Sequence, residues 1–594
     1  MQAENHLEMV EDNSAEARAK ELEEQFAREN KTLPEGFESI DGNIFYHLQL
    51  KKSEKLMFVC SQLEVIACTR DERNRNHGRL VVFPDADGYI HELAIPMELF
   101  AGDGALYRAQ LLNRGLCISP EPKARQLLSS LIQRSMPAEK VRCVSKIGWY
   151  QDKFVLPSEV IGAKESERIF FQGVGTFQNN FSVSGTLEDW KAHIGKYCRA
   201  NSRLILSTST GFASPLLAIV GVENGGLHLL GPSSLGKTTA QRVAVSIFFI
   251  PQSLLTWRAT ANGLEIVAKE HNDCLLCLDE LSQVAPEEAG NIAYMLANGI
   301  DKLRSDCLGA RRESVTWRLL FLSTGEIGLA QHMSAGGKKA RPGQEVRISE
   351  ISADTGAYGI FEELHGFESG AALSQTLTQA CQRYYGTAGR EFIKCLINDQ
   401  SAKSKICEMF DHYRRSLVVH TACGQVMRTA KRFALIATAG ELATAYGITG
   451  WEEGEAFWGV QSCFENWLQR RGGGELKEEM NALAQVRHFF QQHGESRFSI
   501  WHDSEDEMQS QKTFNRAGFR KAPYKGGSCE YFVFKEVFEN EICSGLDHLY
   551  VAKVCALNGY LIVDSENRMT RSERLPSHEK STRVYRFTSR VMEE

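Results

Sequence analysis

The sequence predicts an α/β fold built on a parallel sheet, and three observations carry that prediction. Residues 227–247, LHLLGPSSLGKTTAQRVAVSI, run from an apolar strand through a glycine-bounded loop into an amphipathic helix. Residues 199–350 alternate strand-like and helix-like stretches, the pattern of strands joined by crossover helices. Two further apolar runs, CLLCLDE and RLLFLSTGE, end in the polar residues Asp279-Glu280 and Ser323-Thr324. In open parallel sheets the C-terminal strand tips are where ligands gather.

Composition sets the bounds. A chain of 594 residues exceeds a single core, so about three to five domains are expected. Hydrophobic content of 43% and charged content of 24% are ordinary for a globular protein. The net charge of −7 excludes a general polyanion binder, so any contact with nucleic acid must come from local basic patches. Sixteen cysteines are scattered without a repeating pair spacing. Cys274 and Cys277 form a C-x-x-C inside an apolar strand and read as core packing rather than a zinc or redox site. Thiols used this way fit a reducing cytosol. No N-terminal apolar region of a secretory leader and no apolar run of about 18 residues is read, so no membrane span is expected.

The chain divides as follows. Residues 1–33 are a charged helical tail, closed by Pro34 and Gly36. Residues 34–185 hold short β-rich runs (IFYHLQL, LMFVC, LEVIACTR, GRLVVFP) and two helical ones, a small α+β domain. Residues 186–450 hold the alternating core and, from 370, a set of helices that reads as a lid. Residues 451–474 are a helix and the linker Gly472-Gly473-Gly474. In residues 475–594 two helices flank a short Gly turn and lead into YLIV and VYRFT, a winged-helix-like pattern. Its Arg-rich end would meet either DNA phosphates or a neighbouring subunit.

Gly231-Pro232-Ser233-Ser234-Leu235-Gly236-Lys237-Thr238 fits G-x-x-x-x-G-K-[ST] at every fixed position, with Thr239 directly after it. The glycines let backbone N–H groups turn inward to phosphate oxygens, and the next helix presents its positive end to the same anion. Lys237 would reach the β- and γ-phosphates of ATP, and the Thr238 hydroxyl would hold Mg²⁺. Asp279, 42 residues after Lys237, would share that cation. Glu280 would orient and deprotonate an attacking water. Ser323 or Thr324 would polarise the same water, or simply cap a strand end.

Between the second and third apolar strands lies NGIDKLRSDCLGARRESVTWR, with β-type arms and turn residues inside. It carries Lys302, Arg304, Arg311 and Arg312, a hairpin suited to gripping DNA or, in the plainer reading, to subunit contacts. Residues 301–347 hold nine Lys/Arg against five Asp/Glu, a local balance of +4. Arg347, after a Gly-rich loop, is a candidate arginine finger, and Arg428 and Arg432 at the start of a lid helix are candidates for similar work.

The series phosphate loop, WRATANGLE, CLLCLDEL, ANGIDKLR, WRLLFLSTGE, GQEVR and AGELATAYGITGW resembles an AAA+ ATPase family of formerly unknown function from prophages and cassette-type mobile elements. That family is similar to the minichromosome maintenance helicases. The resemblance spans about residues 140–450, and the C-terminal module more loosely. It implies an AAA+ P-loop core with a helical lid, and a hexameric, ATP-driven helicase that translocates on single-stranded or forked DNA in a bacterial cytoplasm, with an element-encoded replication partner. By position it implies that Lys237, Thr238, Asp279 and Glu280 are the two Walker motifs. Thr324 would be sensor 1, Lys302 and Arg304 would belong to the pre-sensor hairpin, Arg347 would be the finger and Arg428 sensor 2. Ser-Thr stands where the helicases carry Asn, and neither a zinc-binding cysteine cluster nor a primase-type acidic motif is present. The alternatives from other classes are an ATPase that remodels a protein partner, and a nucleotide-gated DNA-binding switch that does not unwind.

Overall fold

The computed structural model describes residues 33–50, 53–162, 167–173, 180–302, 314–338, 340, 342–418, 423–471, 477–501, 513–522, 529–564, 568–576, 578 and 580–592. The chain forms two compact units. One holds residues up to 419 with 428–467, and the other holds 420–427 with 468–594. The expected tail at 1–33 and the glycine linker lie almost wholly outside the described residues.

The first unit begins with a three-stranded antiparallel sheet, Phe37–Ile40, Asn43–Leu50 and Ser53–Cys60. A five-stranded mixed sheet follows, with strands in the order Arg168–Phe171, Lys140–Val144, Glu64–Arg70, Gly78–Pro84, Ile90–Pro96. The helices Ala105–Asn113 and Pro122–Arg134 bury Tyr107, Leu128 and Ile132 with Phe83. This is the α+β arrangement expected from the sequence.

Next comes a five-stranded parallel sheet, whose strands we number β1 (Gly225–Leu230), β2 (Leu255–Thr256), β3 (Leu275–Asp279), β4 (Leu320–Gly325) and β5 (Ile348–Ser352). Their spatial order is β2-β3-β4-β1-β5. Near-continuous apolar strands suit a sheet covered on both faces. The covering helices are α1 (Ser202–Ala213), α2 (Lys237–Val245), α3 (Ala261–Glu270) and α4 (Pro286–Asn298). Their ends follow local rules. The Thr260 hydroxyl accepts from Gly263 N–H at 3.2 Å to cap α3. Pro286 opens α4, and Gly299 closes it. Cys274 and Cys277 are buried, and burial pushes both thiols up, as expected for packing residues.

Helix α1 corrects one expectation. With its continuation it makes Ser202–Val220, a stretch long and apolar enough to cross a membrane, but it lies mostly buried inside the unit. Leu204, Ile205, Leu206 and Phe212 are fully buried, each worth about 1.5–3 kcal/mol. Interspersed hydroxyls break it into short apolar pieces, although the stretch as a whole is apolar. Ser207 and Thr210 donate to the carbonyls of Arg203 and Leu206 and so enter the core satisfied.

The expected helices after residue 370 are present as α5 (Gly370–Arg383), Thr387–Asn398, Ala402–Leu417 and α6 (Gly424–Ala445). From α6, Arg432 reaches beneath the sheet. It donates to the carbonyl oxygens of Gly226 at 3.4 Å and Val346 at 3.3 Å, and to Ser349 Oγ at 3.2 Å. Its guanidinium takes the space beside Gly225, where a Cβ would come within 2.0 Å of Nη2.

The second unit holds more sheet than the expected module. Its sheet has five strands, in the order Phe498–Ile500, Gly518–Lys521, Glu530–Phe534, Thr582–Phe587, Arg571–Glu573. KEVFENEIC is helical, as expected, over Lys535–Ile542 and widens from Phe538 on. YLIV pairs with the last strand through a single antiparallel bridge, Leu561 to Phe587, beside which Ile562 N–H donates to Arg586 O at 2.8 Å. Within this unit Arg471 donates to Gln425 Oε1 at 2.7 Å. Of its cations, Arg586 is held by Glu530 and Glu573, while Arg574, Lys580, Arg583 and Arg590 are exposed.

Candidate active site

Strand β1 ends at Leu230, with Leu227 and Leu229 buried, and releases the glycine-bounded loop at the C-terminal edge of the sheet. The loop turns through Ser234 (φ 66°) and Gly236 (φ 94°) before α2 starts at Lys237. The left-handed backbone at Gly236 is the conformation that favours glycine. The loop is braced from outside, where Ile360 N–H donates to Leu235 O at 2.9 Å.

Lys237 is buried, and its ammonium donates to the carbonyl oxygens of Gly231 (2.7 Å) and Pro232 (2.6 Å). The cation thus sits folded against its own loop, on neutral acceptors that an anion could replace. Thr238 Oγ1 donates to Asp279 Oδ2 at 3.2 Å. Thr239 Oγ1 meets Ser374 Oγ of α5 at 2.5 Å. Pro232, Ser233 and Ser234 complete the loop, and Ser233 and Ser234 line the same cavity as Lys237.

Strand β4 lies between β1 and β3, so its tip faces both the loop and the carboxylates. Thr324 Oγ1 donates to Asp279 Oδ1 and accepts from Glu280 N–H at 3.2 Å. The neighbouring Ser323 points to the opposite face, as strand alternation requires. It accepts from Trp257 Nε1 at 2.9 Å and meets His228 Nδ1 at 2.9 Å. Of the two hydroxyls, that of Thr324 lies beside Asp279 and Glu280.

Glu280 has left-handed backbone angles (φ 57°, ψ 85°), a costly conformation for a side-chain-bearing residue. Its carboxylate accepts from Ser282 Oγ at 2.6 Å and from Ser282 N–H at 3.4 Å. Gln241, which sequence reasoning passed over, donates to the carbonyl oxygens of Leu278 and Leu322, each at 3.1 Å. It ties β3 to β4 just below the tips that carry Asp279 and Thr324. Nothing in an amphipathic helix pattern distinguishes such a residue.

Loop, carboxylates and α5 enclose a cleft of about 860 Å³, which falls within the range of small-molecule sites. Glu326, two residues beyond Thr324, also lines it. Among the described residues no three His, Cys, Asp or Glu side chains converge as a metal cage. The hydroxyl of Thr238 beside the carboxylate of Asp279 is a hard-oxygen pair. It suits a cation that takes its remaining ligands from water and phosphate, as Mg²⁺ does.

The candidate arginines are not brought to this cleft. Arg347 precedes β5, at the N-terminal end of the strands, whereas the loop leaves β1 at the C-terminal end. Its guanidinium lies 4.0 Å from the Tyr294 ring centroid and donates to Asn298 Oδ1 at 3.0 and 3.2 Å. Arg428 is exposed on α6. Arg432 is a correction. It is buried and braces the starts of β1 and β5, away from the cleft, and burial lowers its pKa to about 10.

The root of the expected hairpin is antiparallel. Ile300 bridges Thr316, and Asp301 N–H donates to Val315 O at 3.0 Å. Lys302 is exposed there, whereas Arg304, Arg311 and Arg312 lie outside the described residues. The root is tied to the turn before Trp149. Asn272 Nδ2 donates to Ile147 O at 2.8 Å, and Lys146 Nζ donates to Thr316 Oγ1 at 3.0 Å.

A glycine-bounded strand-turn-helix thus stands beside one strand tip that carries Asp279 and Glu280 and another that carries Thr324, at the edge of a parallel α/β sheet where ligands gather. Residues 39–315 match the family model described as "Domain of unknown function (DUF927)". Among curated proteins no sequence match is found. The solved structure "SCCmec type IV Cch - active helicase" shares this fold, with a TM-score of 0.69 at 16% identity, covering 94% of this chain and 98% of that one. The NrS-1 C-terminal region aligns over 60% of this chain and 74% of its own, at 10% identity and a TM-score of 0.26.

Proposed function

We propose that this chain is an AAA+ ATPase that couples ATP hydrolysis to translocation on DNA, acting as a ring-shaped, hexameric helicase in the replication of a mobile element. The observation that carries the reading is the convergence of the Thr238 hydroxyl, the Asp279 carboxylate and the Thr324 hydroxyl beside Lys237. The sheet order β2-β3-β4-β1-β5 supports it, as does a fold shared over 94% of the chain with a protein titled an active helicase. Cytoplasmic placement and DNA as partner belong to the same proposal.

In this reading the loop N–H groups and Lys237 bind the β- and γ-phosphates, with Lys237 exchanging two carbonyls for phosphate oxygens. Thr238 and Asp279 would hold Mg²⁺, which supplies charge neutralisation at the phosphates when bound. Thr324 keeps the Asp279 carboxylate aimed. Glu280, once turned from Ser282, accepts the proton of the attacking water. Arg347 stands at the other end of the strands from its own loop, so its work as a finger would be on a neighbouring subunit's nucleotide. The basic hairpin rooted at 299–317 would track DNA phosphates, and the C-terminal unit would act as a winged-helix-like accessory.

The test is ATP turnover and forked-duplex unwinding by Glu280→Gln and Lys237→Ala. Both should lose turnover by at least about 100-fold, Lys237→Ala through nucleotide binding and Glu280→Gln with binding retained. Unchanged turnover in Glu280→Gln would remove the engine from this cleft.

A further inference from the structure

Beyond the phosphate loop the cleft continues along α5, and no role has been assigned to that wall. Ser374, Gln375, Thr378, Gln379 and Gln382 line it from one side of the helix. The spacing is that of a single helical face. From Gly370 to Gln382 the helix carries no charged residue. The near end is pinned to the loop by the 2.5 Å contact between Thr239 and Ser374. Four residues on, Thr378 accepts from Arg242 Nη1 of the facing helix at 3.3 Å. Gln375, Gln379 and Gln382 are exposed along this wall. At 1.5 Å per residue, Gln379 and Gln382 stand roughly 8 and 12 Å beyond Ser374. The same cleft joins them to the loop, and that span suits the nucleoside end of a phosphate-anchored ligand.

We infer that this glutamine row reads the base of the bound nucleotide and selects adenine over guanine. A carboxamide offers a donor and an acceptor side by side. That matches the amino group and ring nitrogen on one edge of adenine, whereas the same edge of guanine presents two acceptors and calls for a cation. On the facing helix Arg242 donates to Thr378, one turn short of Gln382. The inference rests on the reading that the loop holds the phosphates.

The experiment is calorimetric binding of ATP, GTP and inorganic tripolyphosphate, with Mg²⁺, to the full chain and to two variants. Wild type should prefer ATP to GTP by about tenfold or more. Gln379→Ala/Gln382→Ala should bring that ratio near one while tripolyphosphate binds as before. Gln379→Arg should shift the ratio toward GTP. Equal binding of the two purines by wild type, or an unchanged ratio in both variants, overturns the inference. If wild type binds neither nucleotide nor tripolyphosphate, the phosphate-loop reading itself falls and takes the inference with it.

Discussion

Arg318 grips Asp273 with two parallel hydrogen bonds, Nε to Oδ1 at 2.8 Å and Nη2 to Oδ2 at 2.9 Å. The carboxylate is fully buried and also accepts from Trp149 N–H at 2.9 Å and Asn272 Nδ2 at 3.0 Å. One side chain therefore joins the hairpin root, the start of β3 and the N-terminal domain. Arg318→Ala should destabilise the first unit by about 1–3 kcal/mol. The larger loss expected for a wholly buried pair does not apply, because the Arg318 side chain is 46% exposed and water can take its place. Urea unfolding of wild type and variant measures this.

Thr324→Val keeps shape and removes the hydroxyl. Asp279 Oδ1 then loses a donor and Glu280 N–H its acceptor. Turnover should fall about 10- to 100-fold with KM for ATP nearly unchanged. Ser323→Ala should instead lower stability, through lost bonds to Trp257 and His228, and leave turnover near wild type.

Arg347 and the loop sit at opposite ends of the strands. Arg347→Ala and Lys237→Ala should each abolish turnover, and an equal mixture should recover part of it, because a mixed ring contains junctions that pair an intact Arg347 with an intact loop. Absence of recovery in mixtures shown to co-assemble would place the finger elsewhere.

Substituting Lys302, Arg304, Arg311 and Arg312 together by Ala should spare basal turnover and abolish unwinding. The dependence of DNA affinity on salt should flatten by up to about four charge equivalents. Unwinding at the normal rate would remove the hairpin from the DNA path.

Burial lowers the His271 pKa to about 4, with the ring against Phe249. The unfolded chain binds this proton first, near the ordinary histidine value of about 6.5. The contribution is therefore complete above about pH 6.5 and is lost as pH falls toward 4, by an amount on the order of 3 kcal/mol. Denaturant midpoints at pH 7 and pH 5 should differ less in His271→Phe than in wild type.

The parallel sheet was legible because each strand is an apolar run that ends in punctuation: Gly231 after β1, Asp279 closing β3, Thr324 near the end of β4. Period-two alternation also implies that Ser323 and Thr324 face opposite ways, and the structure turns Thr324 to Asp279 and Ser323 to Trp257. What stayed hidden depends on three-dimensional placement. Arg347, Arg428 and Arg432 look alike in the sequence, yet one stacks on Tyr294, one faces solvent and one braces the core. The glutamines of α5 read as a solvated face because neutral amides carry no motif. In the C-terminal unit YLIV has strand composition but pairs through a single bridge, and Tyr560 and Leu561 are used as core plugs.

Gly225 and Arg432 lie 207 positions apart in the chain, and the guanidinium of one occupies the volume of the other's missing Cβ. Their histories are therefore bound together. A lineage that shortens the arginine opens room for alanine at 225, and a lineage that acquires alanine first must shed the arginine to stay folded. Across descendants of this chain the two sites should change as a pair, and that paired change would leave a record of the sheet's underside readable from aligned sequences alone.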